Sequence, residues 1–469
     1  MKVQGLVLAA GKGTRMRSQL PKVLHPLCGK PMVLWAVDAA REAGCEVTVV
    51  VGHEAERVEA ALGGTRTALQ ADQRGTGHAV LCAAPALRRE GVLVVLSGDT
   101  PLVRADTLRA LIQGHGDALC TVLTLPLGAD EVPASAYGRL VRDAAGHALR
   151  VVEAANASEE ELHVREANSG IYAFDARWLL DEVLPYLEPH PPKGEIYLTD
   201  VVEAAARAGR LRAVLHPDAS ELQGVNDRAQ LSDAERALRR RINTAWMLQG
   251  VSMEDPATTI IEHGVRLGQD VTLGPGVVLR GNTRLEDGVS VGPYAVLSDT
   301  LVCAGAEIRA HTVSERAEIG PESKVGPFSR LREGTHLEAK VHIGNFVETK
   351  KVRLRSGAKA NHLSYLGDAE IGAAANIGAG TITCNYDGFA KHRTVIGDRA
   401  FIGSNAALVA PVRVGNDAIV GAGSVITRDV ADNDLALTRV SQTAVSGAAP
   451  DIRARNAARA AELKKRGST

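Results

Sequence analysis

The chain has 469 residues, roughly three times a usual single domain, so two or three domains are expected. Its 54 Lys+Arg balance 55 Asp+Glu, with no basic block before Lys464-Lys465-Arg466. That balance argues against a protein built to hold nucleic acid or an anionic membrane. Aromatics make up only 3% although 45% of residues are hydrophobic, which excludes intrinsic disorder and calls for an aliphatic core. Six cysteines without C-x-x-C spacing exclude a zinc ribbon and make a disulfide scaffold implausible. The apolar run Leu6–Ala10 is too short for a signal peptide, and no run approaches 18 apolar residues, so a soluble, cytoplasmic protein is expected.

The first half alternates short apolar runs with helical patterns. Val3–Ala10 reads as a strand, Met32–Ala43 as a helix, Val47–Val51 as a strand and Glu54–Leu62 as a helix. Val92–Leu96 and Ala105–Gln113 repeat the pair. Strands separated by helices of this length form βαβ units on a mostly parallel sheet, with chemistry beyond the carboxyl ends of the strands. This α/β domain is assigned to residues 1–228. A linker helix over 229–250 follows, with Ser232 and Glu235 as its capping box and Leu238, Ile242, Ala245 and Gln249 on one face. Its Arg239-Arg240-Arg241 run reads as a solvated face.

From Val265 the sequence keeps a six-residue period through Ile343, and eleven of the fourteen positions so counted are Val, Ile or Leu. Such a period fits neither helix nor hairpin and is the hexapeptide repeat of a parallel β-helix, assigned to 251–447. Successive coils lie about 4.8 Å apart, and one aliphatic residue per face fills an interior too narrow for a ring. The period lapses over 349–370, which is expected to project as a loop carrying Lys350, Lys351, Arg353, Arg355, His362 and Tyr365. It resumes at Ile371 and Ile377 and then, one residue out of step, from Ile396 to Ile426. The tail, 448–469, reads as a helix from Pro450 capped near Asp451.

The strongest local signal is Leu8-Ala-Ala-Gly-Lys-Gly-Thr-Arg-Met16 with Pro21-Lys22. Lys12 is not followed by Ser or Thr, so this is not a Walker loop, and Met16 stands where a dinucleotide fingerprint needs its third glycine. What remains is a glycine turn after a strand with three cations, Lys12, Arg15 and Lys22, suited to a nucleoside triphosphate.

This string, continued by Val23-Leu24-His25, resembles the signature of sugar-1-phosphate nucleotidyltransferases. Gln70-Ala-Asp-Gln-Arg-Gly-Thr-Gly77, Gly98-Asp99, Tyr137-Gly-Arg139, Glu153, Asn168-Ser-Gly170 and Gly224-Val-Asn226 resemble further blocks in the same order. The resemblance implies a Rossmann-like sheet, with Gln70, Gly75 and Thr76 at uracil and Leu8, Ala9, Gly11 and Lys22 around the nucleotide. It places Gly138, Glu153 and Asn168 at the sugar, and Mg²⁺ on Asp99 and Asn226. Arg15 and Lys22 would neutralise charge developing on the phosphates. Ala-Ala-Asn-Ala follows Glu153 where the family often has Lys-Asp-Ala, and Ser97 replaces an aromatic residue found in some members.

The second half resembles hexapeptide acyltransferases, most specifically in Ala360-Asn-His-Leu-Ser-Tyr-Leu-Gly-Asp368 and Asn376–Gly388. That resemblance implies a left-handed β-helix. From about residue 3 to 443 the chain resembles the bifunctional N-acetylglucosamine-1-phosphate uridyltransferase / glucosamine-1-phosphate acetyltransferase family. His362, the side chain there that can take a proton near neutral pH, is the candidate general base. Arg332, Lys350 and Lys391 would hold glucosamine-1-phosphate, Tyr365 and Asn376 its sugar, and Asn385 would orient base or amine. Ala379, Asn385, Tyr386, Ser404, Ala422 and Arg439 match positions for acetyl-CoA. UTP, acetyl-CoA, glucosamine-1-phosphate and N-acetylglucosamine-1-phosphate are the implied small molecules, and a homotrimer the implied assembly. A covalent route through Cys384 is disfavoured, because direct transfer needs no thiol. A nucleotidyltransferase with a purely structural β-helix remains the alternative, against which His362, Asn385 and Lys391 speak.

Overall fold

The computed structural model describes residues 2–190 and 194–466. It divides into two compact units, Met1–Arg284 and Leu285–Thr469.

The first unit is organised around β1 (Val3–Leu8), α1 (Met32–Glu42), β2 (Glu46–Val51), α2 (Ala55–Ala61), β3 (Arg66–Leu69), α3 (Thr76–Ala83), β4 (Val92–Ser97), α4 (Ala105–His115) and β5 (Cys120–Pro126). The hairpin β6 (Arg139–Arg142) and β7 (Ala148–Val152), β8 (Glu166–Asp175), α5 (Asp200–Arg207), β9 (Leu211–Leu215) and α6 (Arg228–Leu248) follow. The sheet order is β9-β5-β8-β4-β1-β2-β3. β1 runs parallel to β2 and β4, in register Val7↔Val49 and Val7↔Leu96, while β8 runs antiparallel to β4 and β5. Helices cover both faces, which is why the strands are apolar without alternation: Leu6, Val7, Val49, Val50, Val94 and Val95 are all fully buried. One face packs on Val33, Ala36, Val37, Leu108 and Leu111, and the other on Val80, Leu179 and Val201.

The linker helix differs from expectation at its start. Asp227, not Ser232, is its cap, accepting the Gln230 amide, so α6 begins a turn earlier. The Glu235 carboxylate instead accepts the Cys28 amide at 2.8 Å, a tertiary bond that mimics a capping pattern in sequence. Ala234 and Leu238 pack with Leu27, Met32, Leu102 and Val225. Arg241 is not wholly solvated, since its guanidinium donates to the Leu102 carbonyl at 2.7 Å. The first coils also lie in this unit, with Ile261, Val271, Leu273, Val277 and Leu279 inside.

The second unit is a stack of parallel coils made of two- to seven-residue strands. Each side of a coil sends two residues inward, a small one and, two positions on, a larger one: Ala306/Ile308, Ser323/Val325, Ser329/Leu331, Ala400/Ile402, Ala406/Leu408. The corner between sides usually holds three residues, the last in the left-handed region, as at His311 (φ 58°), Phe328 (φ 54°) and Phe346 (φ 57°). Four corners hold only two, ending on Asp299, Arg316, Lys351 and Asp368, again with positive φ. A two-residue corner makes a side of five, and this corrects the period counted above. Leu301, Glu307 and Val313 fall on the count yet lie outside, and the interior there is Val302, Ile308 and Ser314.

It also corrects the projecting loop. Residues 349–370 stay in the stack, as Glu348–Leu354, Lys359–His362 and Tyr365–Ile371, with Leu354 paired to Ile371. The period lapses there because sides of five intervene and because Thr349 and Ala360 fill interior positions. The true excursion is 385–393. It lengthens one coil so that Ile371 pairs with Ile396, and it is closed by an antiparallel bridge between Tyr386 and Lys391.

The scarce rings of the coils sit outside. Tyr294, His311, Phe328 and Phe346 stack one above another along a corner, with centroids 5.3, 4.7 and 5.6 Å apart. The tail helix is Ala448–Arg466, so Asp451 lies in its first turn rather than ahead of it. Among the described residues, no helix is long and apolar enough to cross a membrane.

Candidate functional sites

The glycine turn follows β1 directly. Gly13 takes φ 61°, and a Cβ there would collide with the side chain of Lys22, so the bare backbone lets Lys22 close over the turn. The Lys22 ammonium pairs with Asp99, from the loop after β4, and lies 3.2 Å from the Asn226 carboxamide oxygen. Arg15 donates to the same oxygen at 2.9 Å. Lys22, Asp99 and Asn226, far apart in sequence, thus meet at one point beyond the sheet, with Arg15 beside them. Leu8, Ala9, Gly11, Lys22, Gln70, Gly75, Thr76 and Asp99 line a single open pocket of about 210 Å³. Gln70, almost fully buried at the end of β3, donates to the Gly75 carbonyl. The Thr76 hydroxyl accepts the Leu198 amide.

A second group is built off the β6–β7 hairpin and a bulge in β8. The Asn168 amide donates to the Gly138 carbonyl, and the ladder to β5 slips between Asn168 and Ile171. The bulge turns the Asn168 carboxamide to the fully buried Tyr172, whose hydroxyl it meets at 2.6 Å. Burial pushes the Tyr172 phenol up. Burial likewise raises the Glu153 carboxyl, and the Thr199 hydroxyl on it, at 3.2 Å, only partly opposes this. Tyr137 joins the two groups, its hydroxyl accepting the Gly224 amide two residues from Asn226. Arg139 is entirely buried and donates to the carbonyls of Pro133, Ser135, Tyr137 and Leu162, which pins this loop.

An oxygen-preferring cation fits the Asp99–Asn226 pair. One carboxylate and one carboxamide oxygen already converge on the Lys22 ammonium, the hard, incomplete donor set that Mg²⁺ takes when phosphates supply the rest.

In the coil stack, His362 closes the strand Lys359–His362 and stands directly beside Asn345 in the register of the coil before it. His362 Nδ1 meets Asn345 Oδ1 at 3.2 Å. An amide oxygen only accepts, so Nδ1 carries the proton and Nε2 keeps its lone pair. Counting two positions past the interior aliphatic in each later coil gives Ala379, Ser404 and Ala422, a column of small residues continuing from His362. Arg439 donates to the Ala422 carbonyl at its far end. Around the corner from His362, Arg332 pairs with Glu348 at 2.8 Å. The Tyr365 hydroxyl and the Asn385 amide both lie over Gly367, where any Cβ would strike them. Asp368 accepts from Asn385 at 2.6 Å and faces the Lys391 ammonium at 3.9 Å. Lys350 lies in the next corner over, level with Gly367. Asn376 is placed apart, level with Lys359 at the opposite end of the side that His362 ends. Tyr386 lies exposed in the excursion, its hydroxyl donating to the Gly388 carbonyl.

Reading the sequence missed Asn345, Glu348, Asp368, Tyr172 and Thr199. Asn345 alone had a usable signal: it lies one 17-residue coil before His362, visible once sides of five are allowed.

The family profile of the MobA-like NTP transferase domain matches residues 5–216, and the bacterial transferase hexapeptide family (six repeats) matches 393–428. Over their whole length, relatives are similar too. The bifunctional protein GlmU of Pelobacter propionicus is 49% identical over 94% of this chain and 96% of its own. That of Sorangium cellulosum is 46% identical over 96% of each, and that of Acinetobacter baylyi 44% identical over 93% and 96%.

Proposed function

The chain belongs to the bifunctional GlmU family, and from that premise we propose that it makes UDP-N-acetylglucosamine in two steps at two sites. The coil stack transfers acetyl from acetyl-CoA to glucosamine-1-phosphate. The α/β unit then joins N-acetylglucosamine-1-phosphate to UTP and releases pyrophosphate.

The observation that carries the first step is the Asn345–His362 contact at the head of the Ala379–Ser404–Ala422 column. With Nδ1–H tied to Asn345, His362 Nε2 takes the proton that the neutral substrate amine sheds as it attacks the thioester carbonyl, and the coenzyme leaves as its thiolate. Arg332, Lys350 and Lys391 bind the sugar phosphate, and Tyr365 and Asn385 hold the sugar and amine over Gly367. The column of small side chains leaves room for the pantetheine arm, and Arg439 suits the coenzyme phosphates. In the second step a sugar phosphate oxygen attacks the UTP α-phosphorus. Lys22 and Arg15 neutralise the charge that builds on the phosphates, and Gln70, Gly75 and Thr76 seat the base. Mg²⁺, held by Asp99 and Asn226, would supply further positive charge between the phosphates. Gly138, Glu153 and Asn168 hold the sugar.

A homotrimer completes the proposal. A single chain leaves Asn376 apart from the other sugar-phosphate residues, as a site shared between copies requires. A cytoplasmic setting suits six free thiols. Functionally the chain divides into residues 1–228, a linker helix at 229–250, the acetyltransferase at 251–447 and a tail.

Assaying the two half-reactions separately tests this. His362→Ala should lower acetyl transfer by about 10²–10⁴-fold and spare uridylyl transfer, and Asp99→Ala should do the converse. Loss of both activities in either variant would refute two independent sites.

A further inference from the structure

We propose that His78 sets the base preference of the nucleotide pocket by fixing which atom of Gln70 is left to read the base. The inference rests on the nucleotidyl-transfer reading of that pocket and concerns a residue to which that reading gives no task.

Gln70 follows β3 and is only 3% exposed. Its Nε2 lies 3.0 Å from the Gly75 carbonyl and 3.1 Å from His78 Nδ1. A carbonyl only accepts, so the contact with Gly75 settles which end of the carboxamide is nitrogen. Both hydrogens of that nitrogen are then engaged, one by Gly75 and one by His78. His78 can accept only through an unprotonated Nδ1, which places its proton on Nε2. The Cys82 sulfur, one helical turn along α3, lies beside both ring nitrogens, 3.7 Å from Nε2 and 3.9 Å from Nδ1. Burial, reinforced by Asp72, keeps the Cys82 thiol protonated, and its sulfur is a weak acceptor for the Nε2 proton. The direction of the contacts from His78 through Gln70 to Gly75 is set by the Gly75 carbonyl.

The consequence falls on Oε1, which is left as an acceptor with no donor beside it on the same group. The Watson–Crick edge of uracil offers a donor, N3–H, at its centre, whereas cytosine offers a bare acceptor at that atom. A glutamine held to present only oxygen accepts the first and repels the second. A freely turning carboxamide would satisfy either base by presenting oxygen or nitrogen. Gly75 alone holds one of the two hydrogens. His78 engages the second, so no donor remains to bridge to a cytosine ring nitrogen. His78 is thus a positioning residue acting through Gln70, not one that touches the nucleotide.

The test is the ratio of kcat/KM for UTP over CTP in the full-length protein, with N-acetylglucosamine-1-phosphate as the second substrate. His78→Leu removes the acceptor, and the ratio should fall about tenfold through both a weaker UTP reaction and a stronger CTP reaction. His78→Gln, whose carbonyl can accept the same hydrogen, should restore most of the ratio. His78→Met serves as the second acceptor-free variant if the leucine does not fold, and acetyl transfer by the other site reports intact protein. An equal loss for both nucleotides, leaving the ratio unchanged, would overturn the proposal and mark His78 as a packing residue. A ratio that His78→Gln fails to restore would overturn it too. Gln70→Ala separates the two layers: if that variant keeps the wild-type ratio, the seating of the base by Gln70 is itself wrong and the inference falls with it.

Discussion

The two candidate sites are assembled in contrasting ways. In the α/β unit the partners come from afar: Lys22 and Asn226 are 204 residues apart and meet at Asp99, which follows β4 beside β1 and whose carbonyl accepts the Val225 amide. In the coil stack, Asn345 and His362 are 17 residues apart and meet because one coil repeats the place of the last. A two-faced aliphatic core must fix the first arrangement, so the site depends on the whole sheet. The second depends on counting, so it can be altered one coil at a time. Long-range convergence makes a site that is robust to local change but hard to divide, and repetition makes one that is addressable residue by residue.

The largest expected break of this contrast is Lys22→Met. Removing the cation where Asp99 and Asn226 converge should lower uridylyl transfer by about 10²–10³-fold and leave acetyl transfer at the wild-type rate. A comparable fall in acetyl transfer would mean that the sites do not act independently. Next come two leucines on the same nominal six-residue count. Leu331→Ala should destabilise the coils by about 2–5 kcal/mol, since its side chain fills the interior, whereas Leu301→Ala, half-buried outside it, should cost about 1 kcal/mol or less. Denaturant unfolding of the two variants decides it, and equal costs would refute the side-of-five reading. Smaller still, Asn345→Leu should reduce kcat for acetyl transfer about tenfold with little change in KM, because His362 loses its fixed tautomer and not its place. Asn345→Asp should move the acid limb of that pH profile upward, an effect that a merely structural residue would not produce.

The smallest effect concerns Glu153. Its carboxyl is raised by burial, so the folded state holds that proton longer than the unfolded state does. Its contribution to stability is therefore full below the ordinary glutamate range and is lost as pH rises through the raised value. Glu153→Gln should raise the melting temperature at about pH 8 and change it little near pH 4. The opposite pH order would show that the Thr199 contact outweighs burial.

What could be read from the residues divides along the same line. The glycine turn, the cations and an acidic residue beyond a strand end single out Gly13, Lys22 and Asp99 in the sequence, whereas Asn226 enters only through the family resemblance. The sheet was legible because strands buried on both faces need unbroken apolar runs. In the coils the hexapeptide period showed the architecture but misplaced its phase, since corners hold two or three residues and a fixed step drifts. Thr349, Thr383 and Ser314 complete the interior and conceal it, because small hydroxyls satisfied by neighbouring coils look like surface residues in sequence. For the same reason 349–370 read as a projecting loop while the real one, 385–393, went unnoticed. At α6, Ser232 and Glu235 had the spacing of a cap, yet only the fold shows that Glu235 belongs to the Cys28 amide. His78 was invisible as a positioning residue because its meaning lies in which hydrogen Gln70 has left, whereas Asn345 could have been found by its 17-residue offset from His362.

The two- and three-residue corners determine where this chain can change length. Removing one residue from a three-residue corner leaves every later interior pair facing inward and only redraws that corner. Removing one from within a side, between Ser323 and Val325 for instance, would turn every residue beyond it inside out until another corner absorbed the slip. The stack thus behaves like text with elastic spaces and rigid words. Deletions should be tolerated at three-residue corners such as those ending on His311, Phe328 and Phe346, whereas those ending on Asp299, Arg316, Lys351 and Asp368 are already one residue shorter.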